Sequence, residues 1–196
     1  MKIYILGVGA IASNIAINLA FDRREDELVL VDYDKVEPRN YQFGTQQYER
    51  GQLGQNKVEA LQFKIYQATG KTVGVVNQMI KFKNDFLLTS TIPGLLIDCL
   101  DNYRAREIVR EGSRLNHISC LHIGFSPQRT FAIEWNENYK TPTDIISDFD
   151  ICQAPSARSF IQYVAGLATI VIIEFLTTGK KLEIVGNRFK NTLLTF

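Results

Sequence analysis

The sequence predicts an α/β fold: a mainly parallel sheet with helices on both faces, closed by a C-terminal crossover loop and a buried helix. Three observations carry that expectation. Runs of aliphatic and β-branched residues alternate with stretches of helical spacing, the pattern that feeds parallel strands through covering helices. A glycine turn, Gly7-Val8-Gly9-Ala10, joins the first run to the first helical stretch. An acid, Asp32, closes the second run twenty residues after Ala12.

Strands are expected at Ile3–Leu6, Leu28–Asp32, Val73–Val76, Leu95–Asp98, Ser119–Ile123 and Thr130–Glu134. The first helix, Ile11–Phe21, sets Ile11, Ile15, Asn18 and Leu19 at helical intervals. Lys57–Thr69 repeats the pattern with Val58, Leu61, Ile65 and Ala68, and Tyr103–Leu115 forms a polar third helix. Between the first two helices, Asp34–Gln55 has no strong period and is rich in Asn, Gln, Gly and Tyr. That is long for a plain connector, so it is either functional or carries short helices, and it is the first segment expected to touch a ligand. Trp135–Ala157 is polar, with Pro142 and Pro155, and gives way to the apolar helix Phe160–Leu176, closed by Gly179 as a C-cap. Residues 135–159 thus read as a crossover loop within a single domain spanning 1–196. Leu182–Val185 is a candidate last strand, and the tail to Phe196 is mixed.

A chain of 196 residues, against about 150 for an average domain, buries a sizeable core without staples. Its 22 Lys and Arg balance 21 Asp and Glu to a net charge of +1, with the signs interleaved, which disfavours nucleic acid as a partner. Cys99, Cys120 and Cys152 form no C-x-x-C pair, so no disulfide framework and no structural zinc are expected, and a reducing cytoplasm suits the count. The apolar N-terminus is interrupted by Gly7, Gly9, Ser13, Asn14 and Asn18 and reads as a strand and a helix, not a signal sequence. The run Tyr163–Ile173 ends at Glu174, short of the ~20 residues that cross a bilayer, so no membrane segment is expected.

The stretch from Leu6 to Ala12 matches G-x-G-x-x-A between a strand and a helix. Glycines there allow a tight turn and close backbone approach, so that the helix N-terminus faces a phosphate. An acid at Asp32 accepts hydrogen bonds from ribose hydroxyls. Together these make the sheet Rossmann-like and a nucleotide the expected ligand; a turn whose glycines only pack helix on strand is the plainer alternative. An NAD-dependent redox domain would share every one of these features.

The discriminating residues lie downstream. Asp32-Tyr33-Asp34-Lys35-Val36 leads to Arg39-Asn40; Gly54-Gln55-Asn56-Lys57 opens the next helix; Asp98-Cys99-Leu100-Asp101-Asn102 ends the fourth strand, with Arg106 one turn on. In this order the series resembles the ThiF/MoeB/HesA family, adenylating domains related to ubiquitin-activating enzymes. The likeness is good from Lys2 to Arg110, weakens through Trp135–Ser159 and returns in the apolar helix up to Gly179. It implies an ATP- and Mg²⁺-dependent adenylyltransferase that activates the C-terminal carboxylate of a small ubiquitin-like or sulfur-carrier protein as an acyl-adenylate. The acceptor's tail would cross the crevice at the topological switch point, beneath the Trp135–Ala157 loop. The resemblance implies that Gly7, Gly9 and Ala10 line the nucleotide and that Asp32 holds the ribose, with Asp34 in the same binding set. It further implies that Asn40 orients the nucleotide, Lys57 contacts its phosphates, Asp101 binds Mg²⁺ and Asn102 lies beside the nucleotide. Cations are needed because negative charge develops as the carboxylate reaches the α-phosphorus and pyrophosphate leaves. Taken singly, a Lys opening a helix is ordinarily a solvated charge and a strand-terminal Asp ordinarily an N-cap. A homodimer or heterodimer is implied too, since the family pairs its adenylation domains.

The chain departs from the family pattern in places. Where Asn-x-x-Arg-Gln is usual it reads Asn40-Tyr41-Gln42-Phe43-Gly44, so the arginine that meets ATP is absent. A charge-assisted hydrogen bond is worth about 1.5–3 kcal/mol, roughly 10- to 150-fold in affinity; Arg39 is the candidate substitute, with Arg50 another. Ala10 stands where a third glycine is common. The family's N-terminal arginine-bearing helix and zinc-binding Cys pairs are not in this sequence, which raises the alternative of a catalytically weakened structural subunit of a heterodimeric activating enzyme. Cys152 falls where sulfur-carrier and ubiquitin-type activators place an acyl-accepting cysteine, with Arg158 and a helix start near Ser159 to favour its thiolate; a chance loop cysteine is the alternative. Cys99 and Cys120 read as core residues, and His117 and His122 as structural, with no matched carboxylate or ligand spacing. The NAD-dependent redox reading leaves Lys57, Asp101 and Asn102 unexplained.

Overall fold

The computed structural model describes residues 1–22, 25–83, 85, 94–126, 130–142, 151–187 and 190–195. Along the chain run β1 (Lys2–Leu6), α1 (Ala10–Phe21), β2 (Glu27–Val31), α2 (Pro38–Gln42), α3 (Lys57–Thr69), β3 (Gly74–Val76), β4 (Leu95–Asp98), α4 (Tyr103–Leu115), β5 (Ser119–Phe125), β6 (Thr130–Trp135), α5 (Ala157–Thr178), β7 (Leu182–Asn187) and β8 (Lys190–Thr195). The strands form one sheet of eight in the order β3-β2-β1-β4-β5-β6-β7-β8. The first five of that order are parallel and the last three run antiparallel. The order turns back on itself between β1 and β4, and a crevice opens there beyond the strands' carboxyl ends.

Side chains alternate across each strand. Ile3, Ile5, Leu28, Leu30, Leu95, Ile97, Leu121 and Ile123 share one core with α1, α3 and α5. Tyr4, Leu6, Val29, Val31, Leu96 and Cys120 share a second core on the other face with Val109 of α4 and Ile80. Helices therefore cover both faces, as expected. One cross-sheet row, Leu6, Asp98, His122 and Glu134, brings three polar side chains onto the α4 face at the top of the sheet.

Some expectations are met and others are not. Asp34–Gln55 carries both α2 and a 3-10 turn at Arg50–Gln52. The candidate strand Leu182–Val185 forms as β7 (Leu182–Asn187), and in the tail beyond it β8 pairs with β7 antiparallel on the sheet edge. Helix α5 begins at Ala157 and reaches Thr178, capped by Gly179. It has 22 residues, and an 18-residue stretch within it reaches a mean hydropathy of 1.8, so it is long and apolar enough to cross a membrane, more so than the run Tyr163–Ile173 suggests. Phe160, Val164, Ala165, Ala168, Val171 and Ile172 are buried in the first core, where α5 packs on α1. Of the crossover loop, residues 143–150 lie outside the described residues.

Candidate functional site

A crevice of about 1220 Å³ opens at the switch point. Gly7, Gly9, Ala10, Asp32, Asp34, Arg39, Asn40, Lys57, Asp101, Asn102 and Cys152, all singled out in the sequence, line it together. The turn that floors it needs glycine at position 7: φ is +78°, and a Cβ there would sit 3.1 Å from Leu100 Cδ2 and 3.2 Å from the Cys99 carbonyl. Helix α1 starts immediately after Gly9, with no side-chain cap and no acid in its first turn, so its first N–H groups face the crevice as an anion site. Tyr48 fastens the turn from beneath, its hydroxyl donating to the Val8 carbonyl at 2.6 Å.

Asp32 Oδ2 accepts the Val8 N–H at 2.8 Å and Oδ1 accepts the Asp34 N–H at 2.8 Å. The acid thus holds the glycine turn in place, and each oxygen keeps a lone pair for a ligand hydroxyl. Burial pushes its carboxyl above the ordinary aspartate value, opposed by these backbone bonds and by Lys57. Residues 34–36 clasp the start of α3: Lys57 N–H donates to the Asp34 carbonyl at 2.9 Å and Val36 N–H to the Gln55 carbonyl at 2.8 Å. That clasp delivers the buried Lys57 to Asp34, with Nζ 2.8 Å from Oδ2. The Tyr33 phenol is pushed up by Asp34, by burial, and by Asp101 and Asp32, and all three carboxylates line the crevice with it.

Other side chains have local partners that the sequence leaves open. Asn40 is buried, and its Oδ1 accepts the Glu37 N–H at 2.8 Å in a capping box at the start of α2. Arg39 Nε bonds Glu37 Oε2 at 2.8 Å on the surface. Asn102 is the N-cap of α4, accepting the Ala105 N–H at 2.9 Å. Asp101, one residue earlier, is exposed and makes no hydrogen bond or ion pair among the described residues. Cys152 lies in a 3-10 turn, Ile151–Gln153, before α5. Arg158 runs along Gly44 beside Phe43, its Nε 3.7 Å from where a Gly44 Cβ would stand.

The expectation that His122 has no matched carboxylate is corrected. His122 Nδ1 lies 2.7 Å from Asp98 Oδ2, and Nε2 lies 2.9 Å from Asn136 Oδ1, all of it buried. The partners sit 24 and 14 residues away in sequence, a spacing no local motif marks. Cys120 is buried as expected, whereas Cys99 is half-buried at the crevice. The sequence also gives no sign of Glu134, which lines the far half of the crevice and whose carboxyl is pushed up by burial and by Glu183.

The ThiF family model matches residues 1–196. This chain belongs to the ThiF family. No curated protein sequence matches it. Among solved structures, this ThiF-family chain is similar to E. coli MccB crystallised with MccA-N7isoASN, at 15% identity and a TM-score of 0.78, over 100% of this chain and 64% of that one. It is similar to E. coli MccB with ATP, at 16% identity and a TM-score of 0.77, over 99% of this chain and 62% of that one. PaaA gives 19% identity and a TM-score of 0.74 over 99% and 63%. These likenesses show the Rossmann-like fold, and the chain spans less than two thirds of each of these neighbours.

Proposed function

We propose that this ThiF-family chain is an ATP-dependent adenylyltransferase that activates the C-terminal carboxylate of a peptide or small carrier protein, of ubiquitin-like or sulfur-carrier type, as an acyl-adenylate. The observation that carries the reading is the convergence, in one crevice, of the α1 N-terminus, Asp32, Lys57 and Asp101. A carboxylate oxygen of the acceptor forms a bond to the α-phosphorus of ATP, and the bond to the pyrophosphate oxygen breaks. The α1 N–H groups and the Lys57 ammonium meet the phosphates, and the ribose hydroxyls donate to the open lone pairs of Asp32. An exposed carboxylate beside the phosphate end suits Mg²⁺, which takes one or two carboxylates and completes its shell with phosphate oxygens and water. Asp101 is the residue that would hold it, and bound there Mg²⁺ neutralises charge on the leaving group.

The neighbour E. coli MccB has been crystallised with ATP and with MccA, which supports a nucleotide and an acceptor in the same fold. The acceptor's tail fits the half of the crevice along β5 and β6, and Cys152 at its rim is the candidate to take the acyl group as a thioester, its Sγ bonding the acyl carbon as the acyl–phosphate bond breaks and AMP leaves. We further place the protein in the cytoplasm, as a dimer. Pyrophosphate exchange into ATP, measured on the purified chain with candidate acceptors, tests the reading; exchange that never depends on an acceptor carboxylate sinks it. A second reading, a catalytically weakened subunit of a heterodimer, is favoured by one observation: Phe43, 39% exposed, stands at the position where the family pattern has an arginine. Exchange that appears only when a partner chain is added would support that alternative.

A further inference from the structure

We propose that Arg106 is a positioning residue for Asp101, tying the backbone beside that carboxylate to β5 and to the root of the crossover loop through one guanidinium. The inference rests on the adenylation reading, in which Asp101 holds Mg²⁺. Asp101 stands between two pinned residues. Leu100 N–H donates to Asp98 Oδ1 at 3.0 Å, and the Leu100 carbonyl accepts Arg106 Nε. On the other side Asn102 is fixed as the cap of α4. With the main chain held on both sides, the carboxylate is positioned by its backbone and not by a side-chain partner among the described residues.

The remaining guanidinium nitrogens are anchored elsewhere. Nη2 donates to the Ile123 carbonyl of β5 at 2.7 Å, and Nη1 donates to the Tyr139 hydroxyl at 3.1 Å. The Tyr139 ring stacks on His122 with centroids 3.8 Å apart. Asp98 Oδ2 lies 3.8 Å from Nη1 and 2.7 Å from His122 Nδ1, so the buried cation has its counter-charge. Burial alone would raise the Asp98 carboxyl, but Arg106 and His122 hold it below the ordinary aspartate value. The guanidinium lies against bare backbone: a Cβ on Gly124 would come 3.3 Å from Nη2 and 3.5 Å from Nη1. Three segments far apart in sequence therefore meet on one planar fork. A lysine, with its donors on a single nitrogen, cannot span them.

The test is calorimetric titration of the full chain with ATP, in Mg²⁺ and in a chelator. The wild type is expected to bind ATP more tightly with Mg²⁺, and Asp101→Asn to lose that gain. Arg106→Lys is expected to keep its Mg²⁺-free ATP affinity and lose about 10-fold of the Mg²⁺-dependent gain, the effect typical of disturbing the support of a metal ligand. A purely architectural role would weaken both affinities together. If Arg106→Lys does not fold, Tyr139→Phe carries the same comparison, with a smaller loss in the same direction expected. A folded variant that retains the whole Mg²⁺ gain overturns this inference alone. A wild type that shows no Mg²⁺-dependent ATP binding overturns the adenylation reading and the inference with it.

Discussion

Lys57 Nζ lies 2.8 Å from Asp34 Oδ2, and the two residues are also joined through their main chains, Lys57 N–H to Asp34 carbonyl at 2.9 Å. The ammonium is buried and held at the crevice wall with its rotamer already chosen, which lowers the entropy cost of meeting a phosphate. Its partner Asp34 is 41% exposed, so the pair itself adds no more than about 1 kcal/mol to stability.

Lys57→Gln should therefore weaken ATP binding far more than it weakens the fold. Loss of one charge-assisted bond to phosphate corresponds to roughly 10- to 150-fold in affinity. Titration with adenosine, which carries no phosphate, should be unchanged in the same variant. Equal losses for ATP and adenosine would show that Lys57 does not act on the phosphates.

The raised carboxyl of Asp32 predicts a pH effect on the ribose end. Ribose hydroxyls bond the ionised carboxylate, so binding favours the deprotonated form and is lost on acidification. The loss should begin at a higher pH than the ordinary aspartate value of about 3.9 would give. Adenosine affinity measured against pH checks this, free of phosphate titration. A profile that follows an unshifted carboxylate would contradict the role given to Asp32.

Asp98 predicts the opposite sign for stability. Its folded-state pKa is depressed, so its contribution is fully present above the unfolded value of about 3.9 and is lost as the pH falls through the lower folded value. Acid unfolding followed by circular dichroism should show that loss below about pH 4. Asp98→Asn leaves Arg106 buried without its counter-charge and should cost about 3–5 kcal/mol at neutral pH in urea unfolding.

Phe43→Arg should be a gain of function. Phe43 is 39% exposed, so its replacement removes little packing, and a guanidinium there adds a cation beside Asn40. ATP affinity should rise by roughly 10- to 150-fold if that arginine reaches the phosphates. Unchanged affinity would mean that the crevice already receives its cation from elsewhere.

Arg39 shows how a local reading stops short. The sequence marks it as the substitute cation, but in the structure its Nε is engaged by Glu37 two residues away. Asn40 and Asn102 are found at the crevice as expected, yet each also caps a helix. A side chain's second role depends on which backbone donors the fold leaves unpaired nearby, and a motif does not record that.

By itself the sequence determined the alternation of strands and helices, the glycine turn, Asp32 at the end of β2 and the opening of α3 at Lys57. Those follow from local physics: side-chain periodicity, the φ that only glycine accepts without strain at position 7, and fixed spacings along one βαβ unit. The tertiary structure alone decided the cluster of Asp98, Arg106, His122, Asn136 and Tyr139, the pairing of β7 with β8 at the sheet edge, and which of the described carboxylates stand with partners. These depend on strand order and register across the sheet. A buried charge is acceptable only where distant segments bring it hydrogen bonds and an opposite charge, and that compensation exists only once the chain has folded.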